Sequence, residues 1–291
     1  LLGILLVNKP LGLTSHDVVS VLRRKFETKR IGHAGTLDPL ATGLLVMAIG
    51  PATRFLQYLN LEPKQYLATI EFGRATDTYD LEGTTTFEAP IPADLEVKLK
   101  SYVDQFIGLI DQIPPMFSAV KQGGQPLYKM ARLGISVERP PRRVFVKAFD
   151  ILRFEGTHLQ AKIECSGGTY VRSLAHDLGE KVGCGALLAK LERVQVGRFR
   201  LEDASELEAV SLADFIPLRD ALYPIPFITL DQKSAHKVCE GQTILDSTAI
   251  FGENSKIALL GPDGRLLGIG RHEQTLLYPE CVLPKEVIGA F

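Results

Sequence analysis

The residues from Gly32 to Gly43, Gly-His-Ala-Gly-Thr-Leu-Asp-Pro-Leu-Ala-Thr-Gly, restrict the fold of this chain more than any other stretch. Pro39 excludes the residue before it from the helical region and the glycines mark turns, so Asp38 sits where the chain changes direction. A carboxylate at such a corner is presented to its surroundings. Pro39 also suits the first position of a helix, and taken alone Asp38 reads as that helix's N-cap.

On either side of this corner the pattern mixes strands and helices. Leu1 to Val7 and Leu44 to Ile49 are apolar runs of strand length, and Gln65 to Phe72 combines β-formers up to Gly73. Thr14 or Ser15 can cap a helix carrying Val18, Val21, Leu22 and Phe26, with Arg23, Arg24, Lys25, Lys29 and Arg30 at its far end. That places positive charge near the turn presenting Asp38. Leu95, Leu99, Val103 and Phe106 mark a second amphipathic helix. Val144 to Phe154 and Leu159 to Cys165 read as a strand pair around Glu155-Gly156-Thr157-His158, and a helix follows from Tyr170 with Gly183 as its stop. Without a regular βαβ alternation, these elements predict an α+β fold with a mixed sheet. Prolines cluster between Pro217 and Pro226, which sets a domain boundary near 225. Beyond it, Lys256 to Leu260, the turn Gly261-Pro262-Asp263-Gly264 and Arg265 to Gly270 form a β-hairpin in a small β-rich module.

A chain of 291 residues, 45% hydrophobic, buries a substantial core. No apolar run approaches the ~20 residues of a membrane-spanning helix, and the start lacks the basic lead of a signal peptide. Cys165, Cys184, Cys239 and Cys281 are scattered without C-x-x-C spacing, as expected of a reducing cytoplasm and no structural zinc. A net charge of -1 falls short of the basic footprint of many nucleic-acid binders, but placement matters more than the sum. A second basic region holds Lys121, Lys129, Arg132, Arg139, Arg142, Arg143, Lys147 and Arg153, while Glu202, Asp203, Glu206, Glu208 and Asp214 are acidic. Either basic cluster alone is equally well a solvated face.

Asn8-Lys9-Pro10-Leu11-Gly12-Leu13-Thr14-Ser15, the Asp38 segment, Pro114-Pro115-Met116-Phe117-Ser118-Ala119-Val120-Lys121 and Gly168-Thr169-Tyr170-Val171-Arg172-Ser173-Leu174 form an ordered set. Together they closely resemble the bacterial TruB-type tRNA pseudouridine-55 synthases, from about residue 4 to about residue 200. The resemblance implies a pseudouridine-synthase fold, with a central mixed β-sheet flanked by helices in residues 1–225 and a PUA-like RNA-binding domain in 226–291. It implies a cytoplasmic, monomeric isomerase that acts on the uridine at position 55 in the T-loop of tRNA and needs no cofactor or metal. No Walker or dinucleotide-type glycine loop is present either.

The resemblance also assigns roles. Asp38 corresponds to the nucleophile, attacking the ribose or the base, and Arg172 to its ion-pair partner; a desolvated carboxylate needs such a cation to stay ionised. A uridine inside a folded loop must be flipped out. Tyr66 in Lys64-Gln65-Tyr66 matches the stacking tyrosine, with its hydroxyl a possible general base, and Tyr170 and Leu191 match residues lining the same pocket. His33 matches the histidine that fills the void left by the flipped base. Lys9 and Pro10 brace the floor, Asp77 orders the active-site region without being catalytic, and residues 114–143 look like the family's thumb, closing on RNA. Read without the resemblance, Arg172 faces water, the tyrosines are ordinary sheet or helix residues and His33 is a surface residue. Lys190 and Glu192 depart from the residues common around Leu191. A tRNA-binding folding chaperone with secondary or no catalysis is the alternative from another class. The related guide-dependent enzyme of ribosomal RNA is disfavoured by the absence of lysine-rich tails.

Overall fold

The two apolar runs pair with each other. In the computed structural model, strand β1 (Gly3–Lys9) leads through helix α1 (Ser15–Lys25) and β2 (Ile31–Ala34) into β3 (Ala41–Ile49), and β1 lies antiparallel to β3. Leu5, Val7, Leu45, Met47 and Ile49 pack with Val18, Val19 and Leu22 of α1. Ile4, Leu6, Leu44, Val46 and Ala48 face the opposite side, against Ala52 and Phe55 of the 3₁₀ segment Gly50–Tyr58. Burial on both faces is why neither run alternates with polar residues.

The structure describes every residue except 119, 136, 246–250, 290 and 291, and only the backbone of 121 and 132. Ala119 of the Pro114–Lys121 motif, and the side chains of Lys121 and Arg132 in the second basic cluster, therefore lie outside the described part. The chain continues through β4 (Lys64–Phe72), α2 (Leu95–Val103), β5 (Gly108–Gln112), α3 (Leu127–Arg132), β6 (Arg142–Glu155), β7 (His158–Cys165), α4 (Val171–Val182), β8 (Ala186–Val196), β9 (Phe199–Arg200) and β10 (Ser205–Glu206). Among the described residues these ten strands make one sheet, ordered β10-β1-β3-β8-β4-β7-β6-β5, with β2 beside β3 and β9 beside β8. The β1–β10 and β3–β8 pairs are parallel and the others antiparallel, so the sheet is mixed as expected. Residues of α2 and α4 cover one face, over Tyr66, Ala68, Ile70 and Phe72 of β4. The second amphipathic helix stops at Val103, three residues early, and Asp104–Phe106 tightens into a 3₁₀ turn.

At the centre of the sheet β3 and β8 touch over only three residue pairs, from Leu191 opposite Ala41 to Arg193 opposite Gly43. Gly43 has φ +96°, and a Cβ there would collide with the backbone of Arg193, so glycine is required for the approach. This contact brings Leu191 and Arg193 beside the Asp38 loop.

After residue 225 come β11 (Phe227–Thr229), α5 (Gln232–Cys239), β12 (Ile244–Leu245), β13 (Lys256–Leu260), β14 (Leu266–Glu273) and β15 (Leu276–Val282). Their five-stranded sheet is ordered β11-β13-β14-β15-β12, with the expected hairpin turning at Gly261–Gly264. Ile257, Leu259, Ile269 and Leu277 share one continuous hydrophobic cluster with Ile4, Leu6, Val46 and Phe55.

Candidate active site

Asp38 follows β2 in a loop that is braced from below. The buried Ser15 hydroxyl accepts a hydrogen bond from the Leu37 N–H (2.9 Å) and donates to the Leu37 carbonyl (3.2 Å). Gly12 N–H donates to the Pro39 carbonyl at 2.9 Å, and Ala41 N–H to the Asp38 carbonyl at 3.0 Å. No helix starts at Pro39; the chain turns directly into β3. Asp38 is therefore not an N-cap, and its carboxylate is left for other partners. Thr14, not Ser15, caps α1, in a capping box with Asp17. For the helical part of the basic cluster the expected closeness to Asp38 does not hold: the loop sits against the N-terminal end of α1, and Arg23, Arg24 and Lys25 lie at its other end, roughly 15 Å away at 1.5 Å per residue.

The cation that meets Asp38 comes from α4. Gln112 on β5 receives the Tyr170 N–H on its side-chain oxygen at 2.7 Å and donates to the Tyr170 carbonyl at 3.0 Å, which fixes the entry to the helix. Arg172, in the first turn, then points inward and is only 5% exposed. Its Nη2 lies 2.8 Å from Asp38 Oδ2 and donates to the Phe117 carbonyl at 2.8 Å. Its Nη1 donates to the Thr78 carbonyl at 3.1 Å and lies 3.3 Å from Asp80 Oδ2. Asp80 is itself buried, accepting from the Thr78 hydroxyl at 2.6 Å and the Glu82 N–H at 3.1 Å. Neighbouring Tyr79 stacks on His176 of α4, with ring centroids 3.8 Å apart.

Burial lifts the Asp38 carboxyl above its usual range, opposed by Arg172, reinforced by Asp80 and opposed again by Lys9. The Asp38 side chain nonetheless keeps 38% of its surface open, toward a cleft of about 250 Å³. Tyr66, Tyr170, Leu191, Lys64 and Arg193 also line this cleft. The sequence-assigned Asp38, Arg172, Tyr66, Tyr170 and Leu191 thus converge on one cavity. Tyr66 is 7% exposed, and burial raises its hydroxyl, although the adjacent Arg193 guanidinium, hydrogen-bonded to it, pulls the other way. His33 does not line the cleft; it lies on β2, and burial, then Arg193 and His16, hold its imidazole below the ordinary histidine value. Its Nδ1 is buried without a hydrogen-bond partner among the described residues.

Two buried charges escaped sequence reasoning although each lies close to a residue it named, Asp77 or Leu191. Asp80, not Asp77, reaches Arg172; Asp77 accepts the Thr84 N–H at 2.8 Å within its own turn. Arg193 is 1% exposed, donating to the Leu44 carbonyl at 2.8 Å and the Gly35 carbonyl at 2.9 Å, so it ties β8 to both sides of the Asp38 loop. Lys9 is fully buried and donates to the carbonyls of Pro10 (2.9 Å) and Leu13 (2.6 Å). Burial brings its ammonium down to about 8, with Asp38 acting to raise it. On the outer part of α4, His176, Asp177 and Glu180 bring ligand-type atoms within 4.8 Å of one another.

Three family models together match residues 23 to 283. One, described as TruB family pseudouridylate synthase (N terminal domain), matches residues 23–171, and one described as tRNA pseudouridylate synthase B C-terminal domain matches 172–225. The third, Pseudouridine synthase II TruB, C-terminal, matches 226–283. The chain belongs to the TruB family of pseudouridylate synthases. TruB-family relatives include the tRNA pseudouridine synthase B of Opitutus terrae, 47% identical over 223 residues, which are 77% of this chain and 92% of that protein. The tRNA pseudouridine synthase B of Dehalococcoides mccartyi is 43% identical over 278 residues, 90% of this chain and 92% of the relative. Among solved structures, a Cbf5-Nop10-Gar1 complex contains a chain that superposes with TM-score 0.71 at 23% identity, covering 98% of this TruB-family chain and 86% of that one. At that identity the likeness shows a common fold. Among the described residues no helix is long and apolar enough to cross a membrane.

Proposed function

We propose that this protein converts the uridine at position 55 in the T-loop of tRNA into pseudouridine, with Asp38 as nucleophile. The observation that carries the reading is the Asp38–Arg172 pair, at 2.8 Å, facing a cleft walled by Tyr66, Tyr170 and Leu191 in a chain of this family. The isomerisation breaks the N1–C1′ bond of the nucleotide, turns the uracil over and joins C5 to C1′. The C5 proton is lost and N1 gains one, so atoms and electrons balance without an oxidant, a reductant or an added group.

Each residue has a defined task. Arg172 keeps the Asp38 carboxylate ionised in a site whose burial favours the neutral acid, and Asp80 holds Arg172 in place while neutralising part of its charge. Tyr66 stacks on the flipped uracil, a contact of about 1–3 kcal/mol. Burial raises the Tyr66 hydroxyl and the hydrogen-bonded Arg193 opposes it; only as the phenolate, which Arg193 would stabilise, can Tyr66 take up the C5 proton. Tyr170 and Leu191 close the pocket on the base. His33, kept neutral by its surroundings, fills the gap left in the RNA stack. Residues 114–143 form the thumb over the T-loop, and the C-terminal sheet is a PUA-like RNA-binding unit following a catalytic domain of residues 1–225. The protein works as a cytoplasmic monomer.

The test is release of tritium from a T-arm hairpin labelled at uracil C5, by the intact protein and by Asp38→Asn. Release by the intact protein alone, and only from a hairpin that keeps the target uridine, supports the assignment. Salt-sensitive binding without release would leave a tRNA-folding role in its place.

A further inference from the structure

Of the cations lining the cleft, Arg172 and Arg193 have their terminal N–H groups directed at protein oxygens. Lys64 differs. It sits two residues before Tyr66 on β4, so both side chains leave the same face of the strand, and it lines the same cavity. Among the described residues its ammonium forms no hydrogen bond, and it has no ion-pair contact within 4.0 Å. Glu62 is the nearest counter-charge, but its Oε1 accepts the Gly167 N–H at 2.9 Å.

The position of Lys64 identifies what it faces. A Cβ placed on Gly167 would lie 3.0 Å from Lys64 Nζ, and one on Gly35 3.5 Å from its Cε. The ammonium therefore stands between the two glycine-containing loops that frame the cleft, one leading to Asp38 and the other to Arg172. A half-buried cation without a partner carries a desolvation cost that an anion offsets. Uracil is neutral, and the anionic part of a flipped nucleotide is its phosphodiester, which remains at the mouth while the base enters. The space a side chain would take at either glycine is filled by Lys64 together with Arg193 or Glu62, which holds the ammonium at the rim of the cleft.

Resting on the reading above, we infer that Lys64 binds a phosphodiester flanking the target uridine. It is a substrate-binding residue that holds the RNA backbone in register with Asp38. Burial, together with Arg193, lowers the affinity of Lys64 for its proton in the free protein, with Glu62 opposing, and a bound phosphate reverses that tendency.

The experiment pairs protein and RNA changes. T-arm hairpins carrying a neutral methylphosphonate immediately 5′ or 3′ of the target uridine are compared with the all-phosphate hairpin, using intact protein, Lys64→Gln and Lys64→Arg. For the intact protein, one of the two methylphosphonates raises KM about tenfold and leaves kcat largely unchanged, and the salt dependence of binding flattens by about one charge. In Lys64→Gln the all-phosphate hairpin already shows that higher KM, and the methylphosphonate adds nothing; Lys64→Arg restores the wild-type pattern. Additive effects of the protein and RNA changes at both positions would overturn the inference. Should Lys64→Gln not fold, absence of any penalty from either methylphosphonate on the intact protein overturns it equally. No tritium release from the all-phosphate hairpin by the intact protein is a different result, and removes the catalytic reading itself.

Discussion

Asp38 is held against the preference of its surroundings. Its carboxyl is raised in the folded chain, so its contribution to stability is present below the ordinary carboxylate range and is lost as pH rises through the folded value. At neutral pH the ionised group works against folding. Asp38→Asn is thus expected to abolish tritium release and yet to unfold at a higher urea concentration than the intact protein at pH 7. A lower midpoint would mean that the Arg172 pair outweighs burial. Asp177, on α4 with Arg172 but outside the cleft, behaves alike for a plainer reason: burial, with Glu180 adding to it, raises it to about 6. Asp177→Asn should stabilise the protein by about 1–3 kcal/mol at pH 8, with the gain vanishing below pH 4; equal gains at both pH values would contradict the assignment. Which acidic and basic side chains are buried was the least legible part of the sequence. Asp77 and Asp80 stand three residues apart in one motif, and only the fold of the turn decides that Asp80 meets Arg172. Arg193 carried no signal of its own in the sequence because its burial depends on a strand contact between residues about 150 apart in the chain.

At the scale of elements, the entrance to α4 sets the geometry of the site. The side-chain amide of Gln112 satisfies both backbone groups of Tyr170, where no capping side chain does so from within the helix. Gln112→Ala leaves the Tyr170 N–H unpaired, its carbonyl keeping only the Leu174 N–H at 3.1 Å, at a cost of about 1–3 kcal/mol, and lets Arg172 shift relative to Asp38. The expected kinetic result is a fall in kcat with little change in KM; a change confined to KM would place Gln112 in RNA binding instead. Most elements were readable because their causes are local. Thr14 and Asp17 form a capping box, Gly183 ends α4, and the continuous apolar runs of β1 and β3 have the pattern of strands covered on both sides. The helix suggested at Pro39 failed because the competing influence is distant. Pairing with Leu191 of β8 draws Ala41 into the sheet immediately after the turn.

Across the whole molecule, the two sheets do not have separate interiors. Leu259 of the C-terminal sheet and Val46 of the ten-stranded sheet belong to one hydrophobic cluster, so calorimetry should record a single unfolding transition. Leu259→Ala should lower that transition as a whole, by about 2–5 kcal/mol, with no separate early melting of the C-terminal residues. Two resolved transitions in the intact protein would show that the shared packing contributes little. A shared interior also makes the sheets thermodynamic partners. Whatever the C-terminal sheet binds shifts the folding equilibrium of the entire chain by an amount set only by ligand concentration and affinity. The loop carrying Asp38 then becomes harder to unfold, although no atom of it moves and no contact reaches it.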